Sequence, residues 1–229
     1  MSVEDALGRL RDLAGLRRRV HGTAAEVTAD TLRELIMEGG LRPGDRVVEE
    51  SLLGPLEVSR NTLREAFRLL AHEKLIEHKV NRGVFVRTLT ADDVRDLFTV
   101  RVLIELTALR RSREADWAAM SAAVAKGKAC ARAHDWLGVG TANMRFHKAI
   151  VASVGSARLD ELMGQLTAEL RLGFHGMGDP RAFHEKYLTR NAGIVDAVAG
   201  GDVEGAVGLL HEYLDDAGAE MLAAFSSDR

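Results

Sequence analysis

The chain has one cysteine, three prolines and 5% aromatic residues in 229. The lone Cys130 excludes an intrachain disulfide, and its alanine-rich helical setting suits a small buried side chain. Scarce proline removes the commonest interruption to long helices and favours a mainly α fold. No apolar run approaches the ~20 residues of a membrane-spanning helix. The N-terminus carries arginines but lacks the uninterrupted apolar core of a secretion signal. The expectation is a cytoplasmic protein with no membrane partner. Neither sign of charge dominates: the net charge is −3, which excludes a protein that coats nucleic acid by bulk positive charge. Internal repeats and low-complexity linkers are also missing.

What is present is core-forming material, 46% hydrophobic and 28% charged, enough for one large domain or two small ones. The charge is unevenly placed. From Leu56 to Arg87, seven Lys and Arg face four Asp and Glu, whereas from Leu89 onward sixteen face twenty. Thr23–Thr88 as a whole is nearly balanced, at ten against eleven. A basic surface, where one exists, is therefore a single face.

That face centres on residues 58–70. Ser59 is a good helix N-cap, and Val58 with Leu63 can staple the start of the helix. Leu63, Ala66, Phe67 and Leu70 recur at helical spacing and predict a buried stripe. Arg60, Asn61, Arg64 and Arg68 fall largely on the other side. A helix with a packed back and arginines near its N-terminus suits a DNA major groove, because the guanidinium fork matches guanine's two acceptors or a phosphate. A surface helix with solvated arginines is the plainer alternative.

The neighbouring residues frame this helix. Residues 1–22 predict a short amphipathic extension ending in Arg17, Arg18 and Arg19. Thr23 and Glu26 form a capping-box pattern that opens a helix to about Glu38, stopped by Gly39 and Gly40. Val47 and Val48 can add an edge strand, and a second helix covers about Glu49 to Leu56. After the Ser59 helix, two alternating runs around Asn81, Arg82 and Gly83 predict a β-hairpin. Three helices followed by a hairpin make a winged helix-turn-helix over residues 23–88.

Here the motifs become specific. Leu41-Arg42-Pro43-Gly44-Asp45-Arg46, Val58-Ser59-Arg60 with Leu63-Arg64-Glu65-Ala66, and Asn81-Arg82-Gly83-Val84-Phe85-Val86 resemble the GntR family of bacterial repressors, in order and spacing. The resemblance implies DNA contacts by Arg46, Ser59, Arg60, Asn61, Thr62, Arg64, Arg82 and Gly83, with Gly83 as the wing glycine. Three positions depart from it. Glu50 stands where the family often has a DNA-contacting arginine, Pro55 falls near the end of helix two, and Glu57 replaces the usual turn glycine.

Residues 89–229 read as six helices around one core, a predicted antiparallel bundle. The caps are Thr90, Asp116, Asp135, Ser156, Pro180 at a first turn, and Asp202. Arg101 with Glu105, the run Asn143 to His147, and Asn191 ahead of His211 resemble the FCD effector domain of the FadR branch. That domain commonly holds a metal on one carboxylate and three histidines. The resemblance carries these ligands onto Asn143, His147, Asn191 and His211. Two of the four are amides, weak ligands toward a Zn- or Ni-type divalent cation, so a tightly held metal is disfavoured and His147 and His211 are its remaining candidates. His184, two turns before Asn191, could compensate. The same positions could serve a metal-free effector pocket, or be buried histidines satisfied by hydrogen bonds. Arg101 could grip a carboxylate effector bidentately or pair with Glu105 one turn away.

The expected protein is a homodimeric repressor that binds a palindromic double-stranded DNA operator and responds to a small, carboxylate-bearing metabolite. The alternatives are a metal-dependent enzyme built on His147 and His211, which lacks any nucleophile–base constellation, and a winged helix used for protein docking, which Arg60 and Arg64 argue against.

Overall fold

The computed structural model describes residues 22–113, 117–175, 177 and 179–226. The expected N-terminal extension (residues 1–22), except for Gly22, and the Asp116 cap lie outside the described residues. The chain divides into two compact units: residues up to Leu89 together with Arg171–His175, and the remainder from Thr90 onward.

The first unit begins with α1 (Ala24–Met37). Its capping box is present: Thr23 accepts from the Glu26 backbone, and the Glu26 carboxylate accepts from the Thr23 N–H at 2.7 Å. β1 (Arg46–Val47), α2 (Glu49–Leu56) and α3 (Arg60–His72) follow, then the hairpin of β2 (Ile76–Lys79) and β3 (Gly83–Val86). The sheet order is β1-β3-β2, antiparallel throughout, with Arg46 opposite Phe85 and Lys79 opposite Gly83. One core joins Leu32, Leu35 and Ile36 of α1, Leu52 and Leu56 of α2, Leu63, Phe67 and Leu70 of α3, and Val84 and Val86 of the wing. Arg33 of α1 clamps Glu73, which caps α3, through two parallel hydrogen bonds of 2.6 Å. The back face of α3 is thereby fixed, and its arginine-bearing side is left outward.

The second unit is all helix: α4 (Ala91–Arg111), α5 (Trp117–Arg132), α6 (Trp136–Ala152), α7 (Ala157–His175, whose last turn clusters with the first unit), α8 (Pro180–Ala199) and α9 (Val203–Ser226). α6 packs against α4, α5 and α8, and α9 packs against α4 and α8. The interior is filled by Val94 and Leu109 of α4, Phe146 and Ile150 of α6, Ile194 and Val198 of α8, and Leu210, Leu214 and Met221 of α9. Gly127 allows α5 to approach α8, since a Cβ there would sit 2.7 Å from Leu188 Cδ1. Among the described residues, no helix is long and apolar enough to cross a membrane.

Candidate functional site

The residues singled out in the sequence fall into two sets, one in each unit. In the first, Ser59 caps α3: its Oγ accepts from the Thr62 N–H at 3.1 Å and lies 2.8 Å from Thr62 Oγ1. Both hydroxyls therefore position the helix start. Leu63, Ala66, Phe67 and Leu70 are buried, whereas Arg60, Asn61 and Arg64 are exposed. The turn before α3 closes without glycine, because Glu57 takes the left-handed conformation (φ 52°), which costs an ordinary residue about 1–2 kcal/mol. Pro55 is accommodated in the last turn of α2. The three departures from the family pattern thus leave the helix-turn-helix geometry in place.

Neither arginine stands alone. Arg60 Nη1 lies 3.5 Å from Glu50 Oε1, and Arg64 Nε lies 3.4 Å from both carboxylate oxygens of Glu49. In the sequence Glu50 reads only as a lost DNA contact. The signal was two consecutive acids opening α2, but only the crossing of α2 with α3 brings them to the arginines.

The wing gathers further cations. Its turn holds Asn81 at φ 59° and Gly83 at φ 102°, and the Arg82 N–H donates to the Lys79 carbonyl at 3.0 Å. Lys79 Nζ and the Arg82 guanidinium sit 4.9 and 6.0 Å from the centre of the Phe85 ring, a cation–π arrangement. Arg46, across from Phe85, runs beside Gly83. Arg46, Lys79 and Arg82 therefore share one end of the sheet; of these, Lys79 was not anticipated.

In the second unit, α4, α6, α8 and α9 bring a buried polar cluster together. Arg101 Nε donates to Glu105 Oε1 at 2.6 Å, and His147 Nδ1 lies 2.6 Å from Glu105 Oε2. All three side chains are almost fully buried. Burial alone would push the Glu105 carboxyl up, but Arg101 and His147 together hold it below the usual carboxylate range. Burial pushes the His147 imidazole down, against the pull of Glu105 and with the repulsion of Arg101. The consistent state is a carboxylate accepting from a neutral imidazole, with the proton on Nδ1. His147 Nε2 is then a bare acceptor, and it has no hydrogen-bond partner among the described residues.

Beside it, Asn143 Oδ1 accepts from Asn191 Nδ2 at 2.6 Å and from the Tyr213 hydroxyl at 3.0 Å. Burial holds the Tyr213 phenol well above its ordinary range, so it stays a donor. Asn191 Oδ1 is a second buried acceptor without a partner among the described residues. Asn143 thus meets Asn191 and Tyr213, and the His147 ring lies 4.9 Å from that of Tyr213. His211 does not join them. It is exposed on α9, its Nε2 3.4 Å from Asp215, because the residue two positions on, Tyr213, is the one that faces inward. The family resemblance points to His211 and carries no signal for Tyr213. His184 is buried on α8, edge-on to Phe183.

This donor set does not fit a transition metal. Asn143 Oδ1 already accepts two hydrogen bonds, Tyr213 is a neutral phenol, and His211 points away. One imidazole nitrogen and one amide oxygen remain, short of the four strong donors such a cation takes. Nor do any three His, Cys, Asp or Glu side chains among the described residues cluster as metal ligands would. Of the two expectations for Arg101, a bound anion or a pair with Glu105, the structure holds the pair.

Residues 23–86 match the model described as bacterial regulatory proteins, gntR family, and residues 96–216 match the FCD domain. A crystal structure of a GntR transcriptional regulator from Rhodococcus sp. RHA1 is 42% identical, covers 87% of this chain and 98% of its own, and superposes with a TM-score of 0.85. E. coli McbR/YncC shares the fold at 20% identity, with a TM-score of 0.74 over 88% of this chain and 98% of that one. The HTH-type transcriptional regulator BphR of Paraburkholderia xenovorans is 40% identical over 97 residues, 41% of this chain and 40% of the relative. The match thus spans about two fifths of that relative's length.

Proposed function

Because the chain belongs to the GntR family of bacterial transcriptional regulators and carries that family's FCD domain, we propose that it represses transcription as a homodimer on a palindromic operator. As a regulator of this family it acts by binding DNA and is not an enzyme. α3 enters the major groove, the wing lies along the backbone beside it, and the work is done in the cytoplasm. The observation that carries this reading is α3 itself. Leu63, Ala66, Phe67 and Leu70 bury its back, while Arg60, Asn61 and Arg64 stand exposed near a capped N-terminus. A two-fold operator calls for a two-fold protein, with half-sites set by the spacing of the two recognition helices.

The bundle interior is the seat proposed for a small-molecule effector. A carboxylate at Arg101 was the sequence expectation, but Glu105 already balances that charge and would repel an anion. His147 Nε2 and Asn191 Oδ1, both buried without a hydrogen-bond partner among the described residues, are acceptors. They favour a molecule that brings hydrogen-bond donors, such as a hydroxyl or amide group. An effector can shift the DNA-binding equilibrium only by its differential affinity for the two states.

The test is a gel-shift and footprint of the purified protein on the DNA upstream of its own gene, with light scattering on the free and bound forms. A protected inverted repeat bound by a dimer is expected. A monomer on DNA, or no protection, would refute the reading.

A further inference from the structure

The two arginines best placed to read DNA are both held by acids of the preceding helix. Glu50 lies at Arg60, 3.5 Å away, and Glu49 lies at Arg64, 3.4 Å away. Stability does not explain the first pair. Glu50 and Arg60 are 67% and 61% exposed, and such pairs contribute little to folding. Their effect falls on whatever approaches the face of α3.

A DNA phosphate and a base edge meet this arrangement differently. A phosphate is an anion, and at Arg60 it encounters a guanidinium already matched by a carboxylate, with like-charge repulsion from Glu50 added. Non-specific affinity arises almost wholly from cations that neutralise phosphates and release counterions, so a matched arginine contributes little to it. Guanine's N7 and O6 are neutral acceptors and meet no such repulsion. A guanidinium has five N–H donors, and Glu50 takes one, so the others remain for the base. Discrimination can come from penalising the wrong partner as well as from favouring the right one. The near-balanced charge of Thr23–Thr88 is consistent with a domain that does not rely on bulk attraction.

We propose that Glu50, with Glu49 beside it, is a specificity-determining residue: it holds Arg60 away from phosphates and so raises the ratio of operator to random-sequence binding. The inference rests on the reading that α3 is the helix in the groove.

The test measures fluorescence anisotropy with two duplexes across a salt series: the protein's own upstream DNA and a random-sequence duplex of equal length. The wild type is compared with Glu50→Gln, Glu50→Arg, Glu49→Gln and Arg60→Ala. Glu50→Gln should tighten random-duplex binding about 3- to 10-fold at low salt, and steepen the log–log salt slope by about 0.9. Glu50→Arg should go further in the same direction, and Glu49→Gln should act like Glu50→Gln through Arg64. The preference for upstream DNA should fall in each. An unchanged or increased preference in Glu50→Gln overturns the proposal, as does a rise of both affinities by one common factor. Arg60→Ala separates the two levels of the argument. If it binds both duplexes like the wild type, α3 is not the reading helix, and the proposal falls with that reading. If Arg60→Ala loses the upstream preference while Glu50→Gln keeps it intact, the proposal alone fails.

Discussion

His147 on α6 meets Glu105 on α4 at 2.6 Å, and the same carboxylate is held at 2.6 Å by Arg101 one turn earlier on α4. This chain of three buried groups joins two helices through one carboxylate. Its outer end, His147 Nε2, is buried with no hydrogen-bond partner among the described residues.

Removing the carboxylate should therefore be costly. Glu105→Gln leaves the Arg101 charge buried and unmatched, a loss of about 3–5 kcal/mol. Arg101→Met combined with Glu105→Leu should lose less than either single change, because no charge is then stranded. Urea unfolding checks both. A Glu105→Gln protein as stable as the wild type would mean that Arg101 has water or another partner to turn to.

The same cluster predicts a pH dependence. The folded state holds the His147 pKa below its ordinary value of 6.5, so the unfolded chain takes up a proton first as pH falls. Stability is then highest above about pH 6.5 and declines as pH drops through that value toward the lower folded pKa. His175, also held down by burial, adds a share of the same sign. Thermal melts from pH 8 to 5 should show the decline, and His147→Gln should flatten it without abolishing it. A wild-type melting temperature that rises on acidification through this range would contradict the assignment.

On the DNA side, Arg60→Ala and Arg64→Ala should each weaken upstream-DNA binding by about 1–3 kcal/mol if their guanidiniums read bases. Anisotropy titration is the measurement. Exposed arginines contribute little to folding, so the melting temperature should hold.

Gly83→Ala tests the wing. At φ 102° a side chain is strained, at a cost of about 1–3 kcal/mol whether borne or relieved by reshaping the turn. Space is not the obstacle, since an added Cβ would lie 3.4 Å from Arg46 Nε. Weaker DNA binding with a modest drop in melting temperature is expected, because Arg46 and Arg82 flank the turn.

The interior should also be convertible. Purified wild-type protein should contain far less than one equivalent of Zn²⁺ or Ni²⁺ by elemental analysis, with a melting temperature indifferent to chelator. Asn143→Asp, Asn191→His and Tyr213→His together would surround His147 Nε2 with three strong donors. Added Zn²⁺ should then raise the melting temperature of the triple variant. Using His211 in place of Tyr213→His should fail, because His211 lies on the outer face of α9.

The local order of this chain was written in its residues. Thr23, Ser59, Thr90 and Asp135 each cap the helix their position announced, and the alternating runs around Asn81 and Gly83 form the wing. These are short-range effects, in which a hydroxyl or carboxylate reaches a backbone N–H three residues away, so sequence suffices. The buried stripe of α3 followed from periodicity for the same reason. What only the tertiary structure decided are pairings between helices. Glu50 reaches Arg60 because α2 and α3 cross closely, and Glu105 reaches His147 because α4 packs on α6. Tyr213 rather than His211 turns inward because α9 rotates about 100° per residue, so a two-residue shift decides which side chain is buried. Spacing within one helix fixes which residues share a face. Which face is covered, and by what, depends on the packing of its neighbours.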